Sequence, residues 1–340
     1  MATGALAVRT GVLRGRRGAW QFAWLVVGYN VFVALWGALV RATKSGAGCG
    51  NNWPLCNGQV LPVSPTWHTV IEFVHRQTVT VSVLSLIVLV VWTWRSTRPG
   101  AAARVFAVAS TVLLLNEAFL GAMLVIMGYV TENRSLGRVF LLSIHLGNTL
   151  LMLAAMTLTA RMLGTGQRWA DLQSRGSERA IAIAGLASTL LVGVSGSLAA
   201  LGDTLFPAST LRAALVQDLD AHSPWLLRLR GVHPLSAFIA AAFVVWLIMA
   251  ARKAGAAGRA KLVLILLAAQ FVLGIADVLL LAPTWMQILH LLGADIYWVT
   301  LVVLTAELLW KTQGEEVRPS VANGNQTKQI RPVQVGTAAG

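Results

Sequence analysis

The stretch IEFVHRQTVTVSVLSLIVLVVWTW, from Ile71 to Trp94, decides the fold. It is long and apolar enough to cross the hydrocarbon core of a bilayer, which takes about 20 residues of α-helix. Yet it opens with Glu72, His75 and Arg76, and such side chains are costly in lipid unless they have partners or a function. The stretch therefore predicts a membrane-spanning helix with a functional site near its beginning.

The rest of the chain shares this apolar character. Of its 340 residues, 56% are hydrophobic and 12% are charged, which is more apolar surface than a soluble domain of this size can bury. The stretches long enough to span a bilayer lie near residues 20–40, 71–94, 104–127, 139–160, 180–201, 232–251, 261–282 and 286–309. Continuous runs exclude a β-barrel, whose strands alternate in shorter segments. The sequence predicts an all-α integral membrane protein with eight transmembrane helices.

The basic residues predict the orientation. Placing the N-terminus in the cytoplasm puts 19 of the 27 Lys and Arg on that side, and cytoplasmic loops are the ones enriched in positive charge. Both termini are then cytoplasmic. The net charge of +14 is spread over five cytoplasmic segments, so topology and anionic lipid explain it, and no nucleic-acid partner is implied.

Internal similarity divides the chain into two halves. FLGAMLV (119–125) is echoed by VLGIADV (272–278), and IHLGNTLLML (144–153) by LHLLGADIYW (289–298). Two pseudo-repeated four-helix bundles in the same orientation are the simplest account. The predicted division is a basic arm (1–19), an N-terminal half (20–162) with an outer loop at 41–70, a cytoplasmic linker (163–179), a C-terminal half (180–310) and a disordered cytoplasmic tail (311–340).

Four of the six histidines fall early in helices two, four, six and eight of the predicted bundle. They are His75, His145, His233 and His290, and since these helices all enter from the outer side, the four lie at one depth. The second and fourth helices of a sequential bundle are diagonal partners, so two imidazoles can reach inward to one iron. Each half is therefore predicted to hold a haem between two histidines. For one histidine alone, a hydrogen bond between helices is the simpler explanation.

The only two cysteines, Cys49 and Cys56, lie in the first outer loop, in GCGNNWPLCNG (48–58). Their spacing and the absence of a second pair do not suit a four-ligand zinc site. On an oxidising outer face a disulfide is favoured. A structural staple and a redox-active pair remain equally open.

With these residues in view, the chain resembles the haem A synthase family across nearly all of residues 20–310. VRATKSGAGCGNNWPLCNG (40–58), IEFVHR (71–76), SGSLAALGDTLFP (195–207) and APTWMQILHLLGADIYWV (282–299) carry the resemblance together. It implies oxidation of a methyl group of haem O to the formyl group of haem A, for terminal oxidases. It also implies that His75 and His145 bracket the substrate haem, that His233 and His290 ligate the iron of a haem b cofactor, and that Glu72 is the catalytic carboxylate.

The resemblance also sets expectations for partners and location. It implies a multi-pass protein of a bacterial plasma membrane that takes haem O as substrate. A haem O synthase, an electron acceptor such as a quinone, and a homo-oligomeric assembly are further expected partners. Some relatives carry a second cysteine pair in the corresponding loop of the C-terminal half, but residues 202–231 of this chain contain no cysteine, which puts a disulfide relay between the two loops in doubt.

Two other classes stay open. A membrane electron-transfer cytochrome with two haems commonly stacks them within one bundle, using two histidines about four turns apart on the same helix. Here each helix supplies one histidine, and both sites lie at the same depth. A haem transporter would be expected to have broken helices and paired charges near the midplane, but Glu117 is the only clear midplane charge. No role is assigned to Glu117 or to Asp277.

Overall fold

A computed structural model describes residues 2–172 and 176–310 of the 340, with side chains from residues 15–172 and 178–310. The described chain is helical. Its α-helices are α1 (Ala2–Ala42), α2 (Trp67–Ser96), α3 (Ala102–Ile126), α4 (Leu136–Thr165), α5 (Gly176–Leu205), α6 (Leu211–Leu219), α7 (Trp225–Lys253), α8 (Ala257–Leu279) and α9 (Thr284–Leu309). All except α6 are long and apolar enough to cross a membrane, which confirms the predicted eight spans.

Several helices begin earlier than their apolar stretches. α2 begins at Trp67 rather than near 71 because Thr66 caps it, its side chain accepting from the backbone N–H of Thr69. Ser135 caps α4 in the same way, and prolines precede α7 and α9. Hydropathy marks where lipid contact begins, whereas the helix begins where its first N–H groups find a partner.

The earlier starts place the histidines further from the first residues of their helices than the apolar stretches indicated. His75, His145 and His233 lie eight or nine residues after the first residue of their helices, and His290 lies six residues after Thr284. At 1.5 Å per residue these offsets correspond to about 9 to 14 Å of helix. Counted from these starts, three of the histidines lie in the third turn of their helices and His290 lies in the second.

The membrane helices pack as two rings of four. α1 and α3 each pack against both α2 and α4, so α2 and α4 occupy diagonal corners. In the same way α5 and α8 each pack against α7 and α9, which also touch each other across the ring. The histidine-bearing helices are thus the diagonal pair of each ring, as the sequential bundle predicts.

The two rings share an interface built mainly by α4, α5 and α9, with α1 at its edge. Leu150 and Leu153 of α4 belong to the buried apolar cluster of the second ring, together with Trp298 and Leu301. The indole Nε1 of Trp298 donates to the carbonyl of Leu150 at 2.8 Å, so that a buried N–H does not lack an acceptor. A continuous apolar contact therefore joins the rings.

The connections between the helices differ at the two ends of the bundle. We call the end that carries the loop 43–66 the disulfide side; the N-termini of α2, α4, α7 and α9 lie there. The loop 43–66 itself is called the disulfide loop. At the opposite end, α4 continues to Thr165 and α5 begins at Gly176. Residues 2–19 of the predicted arm belong to α1, and the predicted tail 311–340 lies outside the described residues.

Candidate functional site

The four histidines form two pairs, one in each ring. All four side chains are half-buried. The ring centroids of His233 and His290 are 6.3 Å apart, with the ring planes at 77°. His75 and His145 lie on α2 and α4, the diagonal helices of the first ring. Among the residues paired from sequence, the structure brings His233 and His290 together directly.

The geometry of the second pair fits a shared metal ion. Imidazole nitrogens bind transition metals at about 2 Å, and two rings on opposite sides of one ion then have centroids about 6 Å apart, as His233 and His290 do. A haem iron needs only two such axial ligands. The described residues contain no group of three or more His, Cys, Asp or Glu suited to a metal ion on its own.

Unpartnered ring nitrogens point to the same chemistry. The Nδ1 atoms of His75, His145 and His290 are buried and make no hydrogen bond in the structure, and a buried polar atom without a partner needs an explanation. His233 Nδ1 lies 3.3 Å from Ser195 Oγ. Imidazoles retained within membrane-spanning helices are candidates for ligands to a group bound between the helices.

Each imidazole also lies against a glycine of the preceding membrane helix. A Cβ added to Gly37, Gly121, Gly196 or Gly274 would lie between 2.9 and 3.7 Å from Cε1 of the facing histidine. The four facing histidines, in that order, are His75, His145, His233 and His290. Sequence reasoning missed these glycines as site residues, although Gly121 and Gly274 fall in the segments FLGAMLV and VLGIADV that it paired as repeats. Small residues give the flat imidazole room beside the helix backbone.

Glu72 is 3% exposed and is held from two directions. Its Oε1 accepts from Arg76 Nη2 at 2.5 Å, and its Oε2 accepts from the backbone N–H of Cys49 at 2.8 Å. The i, i+4 ion pair with Arg76 is therefore present. In addition, the carboxylate ties α2 to the disulfide loop one turn before His75.

The disulfide loop is fastened to α2. Cys49 and Cys56 form a disulfide, as favoured from sequence. Arg76 Nη1 donates to the carbonyls of Asn52 and Leu55 at 2.7 Å each. A Cβ on Gly48 would lie 2.5 Å from the backbone of His68, so only glycine allows the loop to approach the first turn of α2 this closely.

Other arginines on the disulfide side have protein partners. Arg41 donates to Ala200 O, Thr204 Oγ1 and Gln287 Oε1 at 2.6, 2.9 and 3.0 Å, which links α1 to α5 and α9. Arg230 pairs with Asp203 at 3.0 Å and with Asp218 at 3.3 Å.

One exposed ion pair lies outside the membrane-spanning segments. Lys44 Nζ donates to Glu132 Oε1 at 2.5 Å, and this hydrogen bond holds the pKa of the Glu132 carboxyl below its ordinary value. A carboxyl group whose pKa is depressed in the folded state stabilises the fold at pH values above its ordinary pKa. This stabilisation is lost as the pH falls through the depressed pKa. The side chains are 41% and 57% exposed, so solvent screens the pair.

The fold and these pairs define a class: a multi-pass helical membrane protein with a paired-imidazole site in each of two helix rings. The chain belongs to the COX15-CtaA family, described as cytochrome oxidase assembly protein, whose model matches residues 20–302. This family membership agrees with the resemblance seen in the sequence.

Individual relatives cover different parts of the chain. A Thermus thermophilus protein named "Protoheme IX farnesyltransferase" is 40% identical over 292 residues, 85% of this chain and 48% of its own length. A "Heme A synthase" of Shouchella clausii is 35% identical over 132 residues, 39% of this chain and 41% of its own. Another, of Lysinibacillus sphaericus, is 35% identical over 143 residues, 41% of this chain and 44% of its own. The chain thus spans about half the length, or less, of these curated relatives.

Proposed function

We propose that the protein is a haem A synthase, which oxidises a methyl group of haem O to the formyl group of haem A. The observation that carries the proposal is the pair of imidazoles across each helix ring, in a chain of the cytochrome oxidase assembly family. Relatives named "Heme A synthase" support the reaction. A bundle embedded in lipid also suits a substrate that carries a long isoprenoid chain.

The two pairs take different roles in this proposal. His75 and His145 bind the iron of the substrate haem O, and His233 with His290 bind a haem b cofactor. When bound, that cofactor supplies one-electron redox chemistry. The repeat favours this assignment because Arg230 occupies the position three before His233, where the N-terminal half has Glu72 three before His75. The C-terminal half therefore has a guanidinium where the N-terminal half has a carboxylate. Arg230 forms ion pairs with Asp203 and Asp218.

Glu72 is the proposed catalytic carboxylate. It shares a helix face with His75, one turn away, and its hydrogen bonds from Arg76 and Cys49 fix its orientation. A methyl group and one water become a formyl group with release of four protons and four electrons. Glu72 accepts a proton from the reacting carbon or water, and a membrane quinone is the proposed final electron acceptor. The apolar helices around the site exclude bulk water.

Location and partners follow from the same proposal. We place the chain in a bacterial plasma membrane with both termini in the cytoplasm, so that the disulfide side faces outward, and we leave a homo-oligomer among the expected assemblies. A haem O synthase is the expected source of substrate. The Thermus thermophilus relative supports this link: it is about twice as long as the region matched here, and we assign its farnesyltransferase name to the part that this chain does not match.

The test is expression in a host that makes haem O but no haem A, followed by extraction and identification of the haems by mass. Haem A in cells with the wild-type chain, and none in cells with an empty vector, is the expected result. If the protein binds haem reversibly reduced by quinol but yields no haem A, the electron-transfer cytochrome becomes the better assignment.

The cofactor assignment has its own test. Replacing His233 with Ala removes one of the two imidazoles that lie 6.3 Å apart, and we expect the purified variant to lose most of its haem b. His222 is a suitable control because its imidazole is 95% exposed beside Asp220, and His222→Ala should leave haem b unchanged. Full haem b with an unaltered spectrum in His233→Ala would remove this pair from the proposal.

A further inference from the structure

A polar cluster lies between α3 and α4 next to His145, where the sequence gave no role to its acid. Glu117 Oε2 accepts from Asn148 Nδ2 at 2.6 Å, and its Oε1 accepts from Thr149 Oγ1. Asn116 Nδ2 donates to Asn148 Oδ1 at 2.8 Å. Glu117 is thereby fixed in the middle of a membrane-spanning helix, where a carboxylate is retained only at a cost.

The carboxylate faces a histidine that has no other partner. Glu117 Oε1 lies 3.4 Å from His145 Nδ1, and that nitrogen is buried without a hydrogen bond. The separation is slightly long for a hydrogen bond, but it makes this carboxylate a neighbour of the Nδ1 atom. Histidines that bind metals usually donate their second ring N–H to a carboxylate or carbonyl, which fixes the tautomer and orients the ring.

The second ring supplies an internal comparison. The repeat that pairs FLGAMLV with VLGIADV places Gln270 at the position of Glu117, and the repeat around the histidines places Gly293 at the position of Asn148. The structure agrees, since a Cβ on Gly293 would lie 2.3 Å from Gln270 Nε2. Each ring therefore has a polar side chain at this place, but it is a carboxylate in the N-terminal ring and a neutral amide in the C-terminal ring.

We propose that Glu117 is a positioning residue for His145: its carboxylate accepts a hydrogen bond from Nδ1–H, leaves Nε2 as the nitrogen that binds the substrate iron, and makes this ligand more electron-rich than its counterpart in the C-terminal ring. The inference rests on the proposed function, because it requires a haem at His75 and His145. It explains why an acid is kept in the middle of α3. It also gives the two sites different electronic properties from one repeated framework.

The test compares reciprocal exchanges between the rings. Glu117→Gln gives the N-terminal site the neutral amide of the C-terminal one, and Gln270→Glu does the reverse. Reduction potentials of both sites are measured by spectroscopic titration of the purified protein reconstituted with haem O. A carboxylate beside the ligand favours the ferric form of the iron. Glu117→Gln should therefore raise the reduction potential of the N-terminal site by about 59 mV, which is a tenfold shift toward the ferrous form for one electron. The C-terminal potential should not change.

Two controls separate this role from a structural one. Asn116→Ala removes a hydrogen bond from the same cluster without touching the carboxylate, and it should leave the N-terminal potential unchanged. Gln270→Glu should lower only the C-terminal potential. An unchanged N-terminal potential in Glu117→Gln, or an equal shift in Asn116→Ala, would overturn the inference.

The proposed function fails in a distinguishable way. His145→Ala should abolish haem O binding by the N-terminal ring, measured by the loss of its spectral contribution. If His145→Ala binds as much haem O as the wild type, the substrate site itself is wrongly placed. If His145→Ala loses haem O while Glu117→Gln leaves the potential and the retention of haem O unchanged, only the role of Glu117 is wrong.

Discussion

Glu72 is an acid in the wall of an apolar bundle, and at the scale of single residues its surroundings allow two roles. As the partner of Arg76 it holds the disulfide loop against α2. As a carboxylate one turn from His75 it lies where a base is needed for methyl oxidation. The ion pair and the catalytic role are compatible, because a carboxylate that accepts two hydrogen bonds is oriented as well as charged.

A substitution that keeps the shape of Glu72 separates the two roles. Glu72→Gln removes the charge but can still accept from the backbone N–H of Cys49, so we expect the protein to insert, keep its disulfide and retain haem b. Haem A should fall about 100-fold or more, since positioned bases typically contribute that much. Glu72→Ala should behave similarly and accumulate haem O or a partly oxidised species, identified by mass. A wild-type yield of haem A from both variants would leave Glu72 with the ion pair alone.

Single residues also show a limit of sequence reasoning. The four histidines stand out in a sequence because imidazoles are rare in lipid-facing helices. The four glycines that face them do not, since glycine is common in membrane helices. Their significance depends on which helix lies opposite, and that information is absent from a single segment.

At the scale of elements, the disulfide loop and α2 form one unit. The loop is fastened by the carboxylate of Glu72, by Arg76 and by Thr69, whose Oγ1 donates to Gly48 O at 2.9 Å. The disulfide closes a short segment inside this set of contacts. Loss of the disulfide is therefore expected to disturb Glu72 before it disturbs the bundle.

The loop provides a test of whether the cysteines are a staple or act in the reaction. We expect both thiols to react with a labelling reagent only after reduction, as shown by the mass of the intact chain. If the cysteines act in the reaction, Cys49→Ala should lower haem A output more than it lowers the amount of protein in the membrane, although residue 49 keeps the backbone N–H that bonds Glu72. Equal losses of product and protein would indicate a staple only.

The helix boundaries illustrate how local chemistry corrects hydropathy. The apolar stretches located every membrane helix, but α2, α4, α7 and α9 begin two to seven residues before their apolar stretches. Their N-cap residues are Thr66, Ser135, Pro224 and Pro283. Thr66 and Ser135 are recognisable as capping residues. Had the caps been weighed with hydropathy, two of these starts would have been predicted closely.

At the scale of the whole molecule, Arg41 connects the two rings. It extends from α1 of the first ring and donates to Ala200 and Thr204 of α5 and to Gln287 of α9. A planar guanidinium can satisfy several acceptors at fixed angles, which an ammonium group cannot do. The contact therefore sets the relative position of the rings on the disulfide side.

Arg41→Met should destabilise the protein in detergent and lower its thermal midpoint by several degrees, because hydrogen bonds to a charged group contribute about 1.5 to 3 kcal/mol each. Arg41→Lys should restore only part of the midpoint. Lys44→Met is the matched control, since Lys44 and Glu132 form an exposed pair whose loss should leave the midpoint unchanged. The same midpoint for Arg41→Met and Lys44→Met would show that Arg41 does not join the rings.

The sequence alone determined the solvent, the number of spans and the identity of the four histidines, because hydrophobic length and the rarity of polar groups in lipid are properties of a linear chain. It also favoured the disulfide, and the described structure contains it. Tertiary structure decided what lies opposite each of these residues. The order of the helices in each ring made α2 the diagonal partner of α4, and α7 that of α9. Packing also brought Glu117 next to His145 and the backbone N–H of Cys49 against the carboxylate of Glu72. These contacts join residues that lie 23 or more positions apart, and only packing fixes such pairings.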